Sequence, residues 1–120
     1  MPVEALDHYT IRCSDLETTR AFYEALGLKA APLGDGNTRG YGILSGAMLL
    51  VQLVEAGDDA PVSGGVIDRI AFRGSDAERT RERLSNLGVA FEESAAPGGR
   101  LQQLFLSDPN GVRIEINFRR

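Results

Sequence analysis

The 120-residue sequence has one cysteine and one histidine, and it lacks any long apolar run. Cys13 alone cannot form an internal disulfide, so we expect the reducing conditions of the cytoplasm. The longest apolar stretch, residues 47–51, is far shorter than the roughly 20 residues that cross a membrane. The first residues show neither a basic start nor an apolar stretch, so no signal peptide is predicted.

Charge and composition narrow the class further. Acidic residues number 17 and basic residues 13, which gives a formal charge of −4. Because there is no basic block, nucleic-acid binding is not expected. Hydrophobic residues make up 42% of the chain and charged residues 25%, which is typical of a soluble globular protein of one domain.

The chain repeats itself at an offset of 61 residues. Between residues 6–29 and 67–90, 9 of 24 aligned positions are identical. Each half has about sixty residues, which is too long for a solenoid unit and too short for a comfortable separate domain. We therefore expect two copies that share one core.

Both copies predict the same order of elements, β-α-β-β-β. A serine followed three residues later by a glutamate predicts each helix start, and a glycine predicts each helix end. The expected helices cover residues 15–26 and 76–87. The expected strands, paired between the copies, are 5–12 and 67–73, 29–32 and 89–92, 40–44 and 101–106, and 47–54 and 112–118.

Alternation along the strands predicts an apolar face and a polar face. In the last strand, Ile114 and Ile116 are expected to point toward the helices, and Glu115 to the opposite side. In the strand over residues 47–54, Leu49 and Val51 are expected to point inward. The polar face is predicted to carry His8, Gln52, Arg69, Arg73, Arg113 and Glu115.

These polar residues include two pairs that the repeat relates. His8 matches Arg69 at the common offset, and Gln52 matches Glu115 at an offset two residues larger. A pseudo-twofold axis between the copies would bring all four side chains to one point.

Four segments carry a resemblance to a known family: residues 6–11, 14–28, 67–72 and 108–115. In this order they make the chain similar to the vicinal oxygen chelate superfamily, which includes glyoxalase I, bleomycin- and fosfomycin-resistance proteins and extradiol dioxygenases. The resemblance implies an α+β fold in which two βαβββ modules form a cup-shaped mixed sheet with the helices outside. It implies one domain over residues 1–120, with module one at about 5–56, a linker at 57–65 and module two at about 66–118. It also implies a homodimer.

The resemblance further implies a divalent metal, held by histidine, glutamine and glutamate. His8, Gln52 and Glu115 match those ligand positions, and zinc, nickel, manganese or iron would be the metal. Arg69 departs from the pattern, because the family usually has a histidine there. A guanidinium offers no lone pair, and two unit charges 4 Å apart repel by about 4 kcal/mol at an effective dielectric near 20.

With a single histidine, the two-histidine iron site of a dioxygenase is disfavoured. We therefore favour a metal-free pocket in which Arg69 pairs with Glu115. A metal on the three remaining ligands is the alternative. Two plainer interpretations also stay open, in which Arg69 forms only a salt bridge and His8 is a surface histidine.

Together these features predict a glyoxalase-like protein acting on a small anionic metabolite, with a lyase or isomerase favoured. Glu115 would be the general base, and His8 or Arg69 would stabilise an enolate or alkoxide. The candidate substrate-binding residues are Gln52, Arg113, Arg73, Tyr41 and Arg39. The alternatives are a non-catalytic, drug-sequestering binder, a metal-dependent glyoxalase or dioxygenase, and a regulatory dimer without a ligand.

Overall fold

Each copy of the repeat folds as one β-α-β-β-β unit. The computed structural model describes residues 6–34, 39–56, 69–95 and 101–119, and the chain divides into compact units of residues 1–60 and 61–120. The first unit contains, in order, β1 (Tyr9–Cys13), α1 (Leu16–Ala25), β2 (Lys29–Pro32), β3 (Gly40–Ser45) and β4 (Met48–Glu55). The second contains β5 (Ile70–Gly74), α2 (Ala77–Leu87), β6 (Glu92–Ala95), β7 (Leu101–Ser107) and β8 (Arg113–Arg119).

Each unit holds one four-stranded mixed sheet. The strand orders are β1-β4-β3-β2 and β5-β8-β7-β6. In both sheets the first strand runs parallel to the last, and the other neighbours are antiparallel. The predicted α+β class, built from two βαβββ modules, is thus confirmed. The predicted linker at 57–65 lies outside the described residues, and the joint cup of the two modules stays a prediction.

Both helices begin one residue later than the serine caps predict. Asp15, not Ser14, caps α1, and its Oδ1 accepts a hydrogen bond from the Thr18 amide at 3.0 Å. Asp76 caps α2 in the same way, accepting from the Arg79 amide at 3.0 Å. Aspartate caps a helix about as well as serine does, so in a Ser-Asp pair the motif alone does not decide which residue is the cap.

The helix ends follow the prediction. Gly27 follows α1 with a φ of 93°, and Gly88 caps α2 with a φ of 79°. Glycine enters this left-handed region without the steric penalty of a side chain. The helices are 10 and 11 residues long, and no helix among the described residues is long and apolar enough to span a membrane.

Alternation along the strands builds the apolar core of each unit. In β8, Ile114 and Ile116 are buried, and in β4 Val51 and Leu53 are fully buried. Helix α1 packs on β2, β3 and β4. Its buried residues are Leu16, Thr19, Phe22 and Tyr23. Burial of each large apolar side chain contributes about 1.5–3 kcal/mol to the free energy of folding. The inward residues of these strands therefore stabilise the fold.

A β-bulge overturns one predicted orientation in the first unit. The β3–β4 pairing contains one extra residue on β4, which puts Leu44 opposite Leu49 while Gly42 stays opposite Gln52. A Cβ atom added to Gly42 would lie 3.2 Å from Leu49 Cδ1. Leu49 therefore shares the face of Gln52 and does not point inward as predicted, because one extra residue reverses the face of the residues beyond it.

Candidate functional site

Glu115 lies near the middle of β8, on the face opposite the buried isoleucines. Its neighbours in register are Ala71 on β5 and Phe105 on β7. Its side chain is 16% exposed, and Arg69 donates to it from Nη1 to Oε1 at 3.4 Å. Arg69 directly precedes β5. The expected pairing of Arg69 with Glu115 is thus present, between neighbouring parallel strands of one sheet.

Two amide side chains complete the surroundings of the Glu115 carboxylate. Asn117 Nδ2 donates to Glu115 Oε2 at 2.9 Å. Gln103 Nε2 donates to Asn117 Oδ1 at 3.0 Å and lies 3.5 Å from Glu115 Oε2. Sequence reasoning missed Gln103 as a site residue, although the alternation of β7 puts it opposite Asn117 once the register is known. These donors hold the carboxylate in one orientation.

Phe105 supports Arg69 from the third strand of the sheet. The guanidinium carbon of Arg69 lies 5.7 Å from the centroid of the Phe105 ring, within the range of a cation–π contact. The Arg69 side chain is 45% exposed. The guanidinium therefore lies against an aromatic face and a carboxylate, and it is still accessible to a ligand. Phe105 was also missed from the sequence.

Two further arginines lie on this side of the second-unit sheet. Arg73 is opposite Asn117, and Arg113 is opposite Ser107. Both side chains are exposed. We call this surface the second-unit polar face. Its defining residues are Arg69, Arg73, Gln103, Phe105, Arg113, Glu115 and Asn117. It carries three guanidinium groups and the partly buried carboxylate of Glu115, and Glu92 on β6, opposite Phe105, adds an exposed carboxylate.

In the first unit, Gln52 takes the position that Glu115 has in the second. Gln52 lies opposite Thr10 on β1, and Glu115 lies opposite Ala71 on β5. Thr10 and Ala71 are equivalent in the sequence repeat, so the strand register supports the predicted match of Gln52 with Glu115. Thr10 Oγ1 donates to Gln52 Oε1 at 3.5 Å, and the first-unit contact is therefore a neutral one.

His8 takes the place in the first unit that Arg69 has in the second. Each residue directly precedes the first strand of its unit. His8 Nδ1 lies 2.6 Å from Asp7 Oδ2, and the His8 side chain is 30% exposed. A carboxylate at Nδ1 orients the imidazole ring and directs Nε2 away from that carboxylate. His8 is thus presented as a partly exposed, oriented ring.

Tyr41 and Arg39, which the sequence predicts to bind substrate, lie on the helix side of the first-unit sheet. Tyr41 pairs with the buried Leu53 and shares its face, because paired residues of antiparallel strands point to the same side. The Tyr41 hydroxyl donates to Glu17 Oε2 on α1 at 2.7 Å. Arg39 donates to Glu17 and to Glu55, each at 3.2 Å. These contacts tie α1 to the sheet.

Glu17 is the centre of this structural cluster. The Tyr41 hydroxyl, and then the hydrogen bond from Arg20, hold the pKa of Glu17 below its usual value. The hydrogen bond between the Tyr41 hydroxyl and Glu17 also raises the pKa of Tyr41. Arg20 Nε donates to Glu17 at 2.9 Å, and the Arg20 guanidinium carbon lies 5.4 Å from the Tyr41 ring centroid. The charged groups of the cluster thus pair with one another and join α1 to the sheet.

The surroundings of Glu115 do not suit a divalent metal. Among the described residues, no three His, Cys, Asp or Glu side chains form a group that could hold a metal ion. The side chains of Arg69 and Asn117 direct N–H groups at Glu115, and N–H groups do not coordinate a cation. A metal at Glu115 would have to displace Arg69.

One family model matches the sequence. It is the model described as Glyoxalase/Bleomycin resistance protein/Dioxygenase superfamily, and the match covers residues 5–116. Among curated proteins, none matches the chain significantly.

Solved structures resemble the chain over nearly its whole length. A glyoxylase/bleomycin resistance protein/dioxygenase domain from Frankia sp. has a TM-score of 0.79 and 21% identity, with 98% of this chain and 93% of that chain covered. The genomically encoded fosfomycin resistance protein FosX from Listeria monocytogenes has a TM-score of 0.76 and 20% identity, covering 98% and 95%. TnmS3, an antibiotic binding protein from Streptomyces sp., has a TM-score of 0.69 and 22% identity, covering 100% and 99%. At these identities the likeness concerns the fold.

Proposed function

Because the chain belongs to the Glyoxalase/Bleomycin resistance protein/Dioxygenase superfamily, we propose that it acts on a small anionic molecule at the second-unit polar face, without a metal at Glu115. The observation that carries this proposal is the Arg69–Glu115 contact of 3.4 Å. It puts a fixed positive charge beside the carboxylate that the resemblance assigns to the metal. Arg69 thus supplies the local positive charge of the site.

The distribution of charge supports an anionic ligand. The whole chain has a formal charge of −4, yet Arg69, Arg73 and Arg113 lie on one side of the second-unit sheet. A guanidinium presents several N–H donors in a planar fork, which matches the two oxygens of a carboxylate or phosphate. A ligand carrying such a group is therefore the class proposed.

The catalytic form of the proposal is a lyase or isomerase. Glu115 accepts a proton from a carbon next to a carbonyl group of the substrate, and the electron pair of that C–H bond moves onto the carbonyl oxygen. Arg69 then stabilises the resulting enolate oxygen. In an isomerase, Glu115 then returns the proton to another carbon of the enolate system, and in a lyase the enolate expels a leaving group from its β-carbon. The amide of Asn117 holds Glu115 in place for this step.

A second candidate is a non-catalytic binding protein. Arg69 and Asn117 already donate hydrogen bonds to the Glu115 carboxylate, at 3.4 and 2.9 Å. A carboxylate held by these contacts suits a binding surface. Among the structural neighbours, TnmS3 is named an antibiotic binding protein, which makes sequestration of a small molecule a concrete form of this candidate.

The class of ligand is tested by thermal shift in the presence of a chelator. The panel contains acetate, lactate, inorganic phosphate and fosfomycin, with methyl acetate and glycerol as uncharged counterparts. We expect anions to raise the melting temperature of the wild type and not of Arg69→Gln. Arg81→Gln is the matched control. Arg81 forms an ion pair with Glu93 at an N–O distance of 3.1 Å, and this pair does not belong to the polar face. Equal shifts from the uncharged compounds would contradict the proposal.

Catalysis and simple binding are separated by hydrogen exchange in the bound anion. For a ligand with a carbonyl group, a lyase or isomerase exchanges the neighbouring C–H with deuterium from D₂O, which proton NMR detects. We expect Glu115→Gln to abolish that exchange while the anion still binds. Binding without exchange in the wild type would select the non-catalytic candidate.

The proposal includes a homodimer in the cytoplasm. The family resemblance supports pairing, because small members usually pair. The single cysteine, Cys13, is fully buried, which is compatible with reducing conditions. Light scattering at micromolar concentration is expected to give twice the chain mass of 13.0 kDa, and a mass of one chain would contradict the dimer.

A further inference from the structure

A cavity of about 560 Å³ opens at one end of the second-unit sheet. Its position is set by the start of β6, the end of β7 and the start of β8. The residues that define it are Val89, Phe91, Glu92, Phe105, Leu106 and Arg113. Ligand sites in proteins generally have volumes of roughly 300–1,000 Å³, so the cavity has the size of a small-molecule site.

The cavity continues the second-unit polar face. Phe105 lines the cavity and also carries the guanidinium of Arg69 over its ring. Glu115 and Phe105 are opposite each other in the β7–β8 register. A molecule that contacts Arg69 therefore has the Phe105 ring beside it. Phe91 and Leu106 line the cavity from the other side of the sheet, because Leu106 is opposite the buried Ile114 and successive residues alternate in face. The cavity and the ion pair share the Phe105 ring.

A second arginine lies at the same level of the sheet as Arg69. Ile70 is opposite Ile114, so Arg69 and Arg113 precede equivalent positions on two neighbouring parallel strands, about 4.8 Å apart. Two adjacent guanidinium groups repel each other, and an anion between them relieves that repulsion. Glu92 also lines the cavity. Its carboxylate opposes the binding of a further negative charge.

We propose that this cavity binds the apolar body of an amphipathic anion whose charged group lies between Arg69 and Arg113. The ligand class is a carboxylate or phosphate ester with an aromatic or hydrocarbon body. The inference rests on the proposed function of the same face and names the part of the ligand that this function leaves open. The apolar lining of the cavity favours the body of such a molecule, and Arg69 and Arg113 favour its charged group. Neither feature alone selects a molecule with both parts.

The test compares matched anions by calorimetric titration of the full chain in the presence of a chelator. Phenyl phosphate is compared with inorganic phosphate, and 3-phenylpropionate with acetate. We expect each aromatic anion to bind about tenfold more tightly than its bare counterpart, because the cavity removes apolar surface from water. The affinities of phenyl phosphate and 3-phenylpropionate are then compared with each other, and the tighter of the two identifies phosphate or carboxylate as the preferred charged group.

Three variants assign the effect to the cavity. Phe91→Ala is expected to remove the preference for the aromatic anions without changing the affinity for the bare ones. Ala90→Asp, at an exposed residue of the cavity wall, is expected to remove the preference and also to weaken the binding of every anion, because it adds a carboxylate. Glu92→Gln is expected to raise the affinity for all anions by about two- to threefold. Melting curves establish whether each variant is folded. If Phe91→Ala does not fold, Ala90→Asp still tests the cavity.

The outcomes separate this inference from the proposed function. If bare and aromatic anions bind equally in the wild type, and Arg69→Gln weakens both, the cavity proposal is overturned while the proposed function stands. If the aromatic preference persists and Arg69→Gln leaves all affinities unchanged, the proposed function fails and the cavity remains an apolar site. A preference that survives Ala90→Asp would also overturn the cavity proposal.

Discussion

Gln52 and Glu115 occupy the same position in two copies of one parallel strand pair. Gln52 is opposite Thr10 and Glu115 is opposite Ala71, in units with the same strand order. In the first unit the partner contact is a neutral hydrogen bond of 3.5 Å, and in the second it is an ion pair of 3.4 Å with Arg69. At this repeated position the first copy thus carries a neutral contact and the second an ion pair, and the proposed chemistry is assigned to the second.

The turn before β8 is expected to depend on Asp108, which is 5% exposed. Its Oδ1 accepts hydrogen bonds from the amides of Asn110 at 2.8 Å and Val112 at 2.9 Å. Asp108→Ala leaves both partly buried amides without this acceptor and should lower the free energy of unfolding by about 1–3 kcal/mol. Asp108→Asn keeps one acceptor oxygen and should lose less. Urea denaturation measures both, and an equal loss in the two variants would contradict the account.

Gly40 is expected to be intolerant of a side chain. A Cβ atom there would lie 2.2 Å from the backbone oxygen of Leu53, whereas a Cβ atom on Gly34 would meet nothing within 4 Å. Gly40→Ala should therefore destabilise the first unit by about 2–3 kcal/mol, since β3 must shift from β4. Gly34→Ala is the control and should change stability little. Similar denaturation midpoints for the two variants would show that the strands separate more easily than described.

The α1–sheet cluster should make stability depend on pH through Glu17. The hydrogen bond from Tyr41 is the first cause that lowers the pKa of Glu17 below its ordinary 4.5. Its contribution to stability is therefore complete above pH 4.5 and is lost as the pH falls further through the folded-state pKa. Glu17→Gln should melt below the wild type at neutral pH, and the difference should shrink in acid.

Melting temperatures at neutral and acid pH measure this effect. Glu78→Gln is the matched control, because Glu78 holds the equivalent position in the repeat and is exposed. We expect the control to follow the wild type at every pH. A gap between Glu17→Gln and the wild type that stays constant with pH would contradict the role given to the carboxylate.

Strand faces were largely predictable because alternation is a local property. The buried Ile114 and the partly exposed Glu115 follow from it directly. Leu49 does not, because the bulge that reverses its face depends on how β3 and β4 pair. Tyr41 is the second residue of β3, and its face is set by the register with Leu53.

The partners of the site were harder to predict than its centre. Gln103 and Phe105 belong to a predicted strand, but only the β7–β8 register shows that they lie opposite Asn117 and Glu115. Arg69 was recognisable, because it breaks a family pattern at a position that the repeat also marks. Residues that act through pairing between strands thus need the structure, whereas a residue that departs from a motif does not.

The place of Arg69 predicts a gain of metal binding on a single substitution. Arg69→His removes the guanidinium from Glu115 and introduces the ligand type that the family usually has there. We expect the affinity for zinc to rise by about tenfold or more, because an imidazole nitrogen replaces a repelling charge. Arg69→Gln is the control that removes the charge without adding a histidine. Equal zinc affinity in Arg69→His and the wild type would contradict the account.

The most direct test of the central claim, that Arg69 takes the place of a metal, is the metal content of the wild-type protein after reconstitution. The protein is dialysed separately against zinc, nickel, manganese and ferrous iron, washed, and analysed for metal per chain. The account predicts retention well below one equivalent for every metal, and no change on Glu115→Ala. Near-stoichiometric retention that is lost in Glu115→Ala would show that Arg69 is displaced and would contradict the metal-free site.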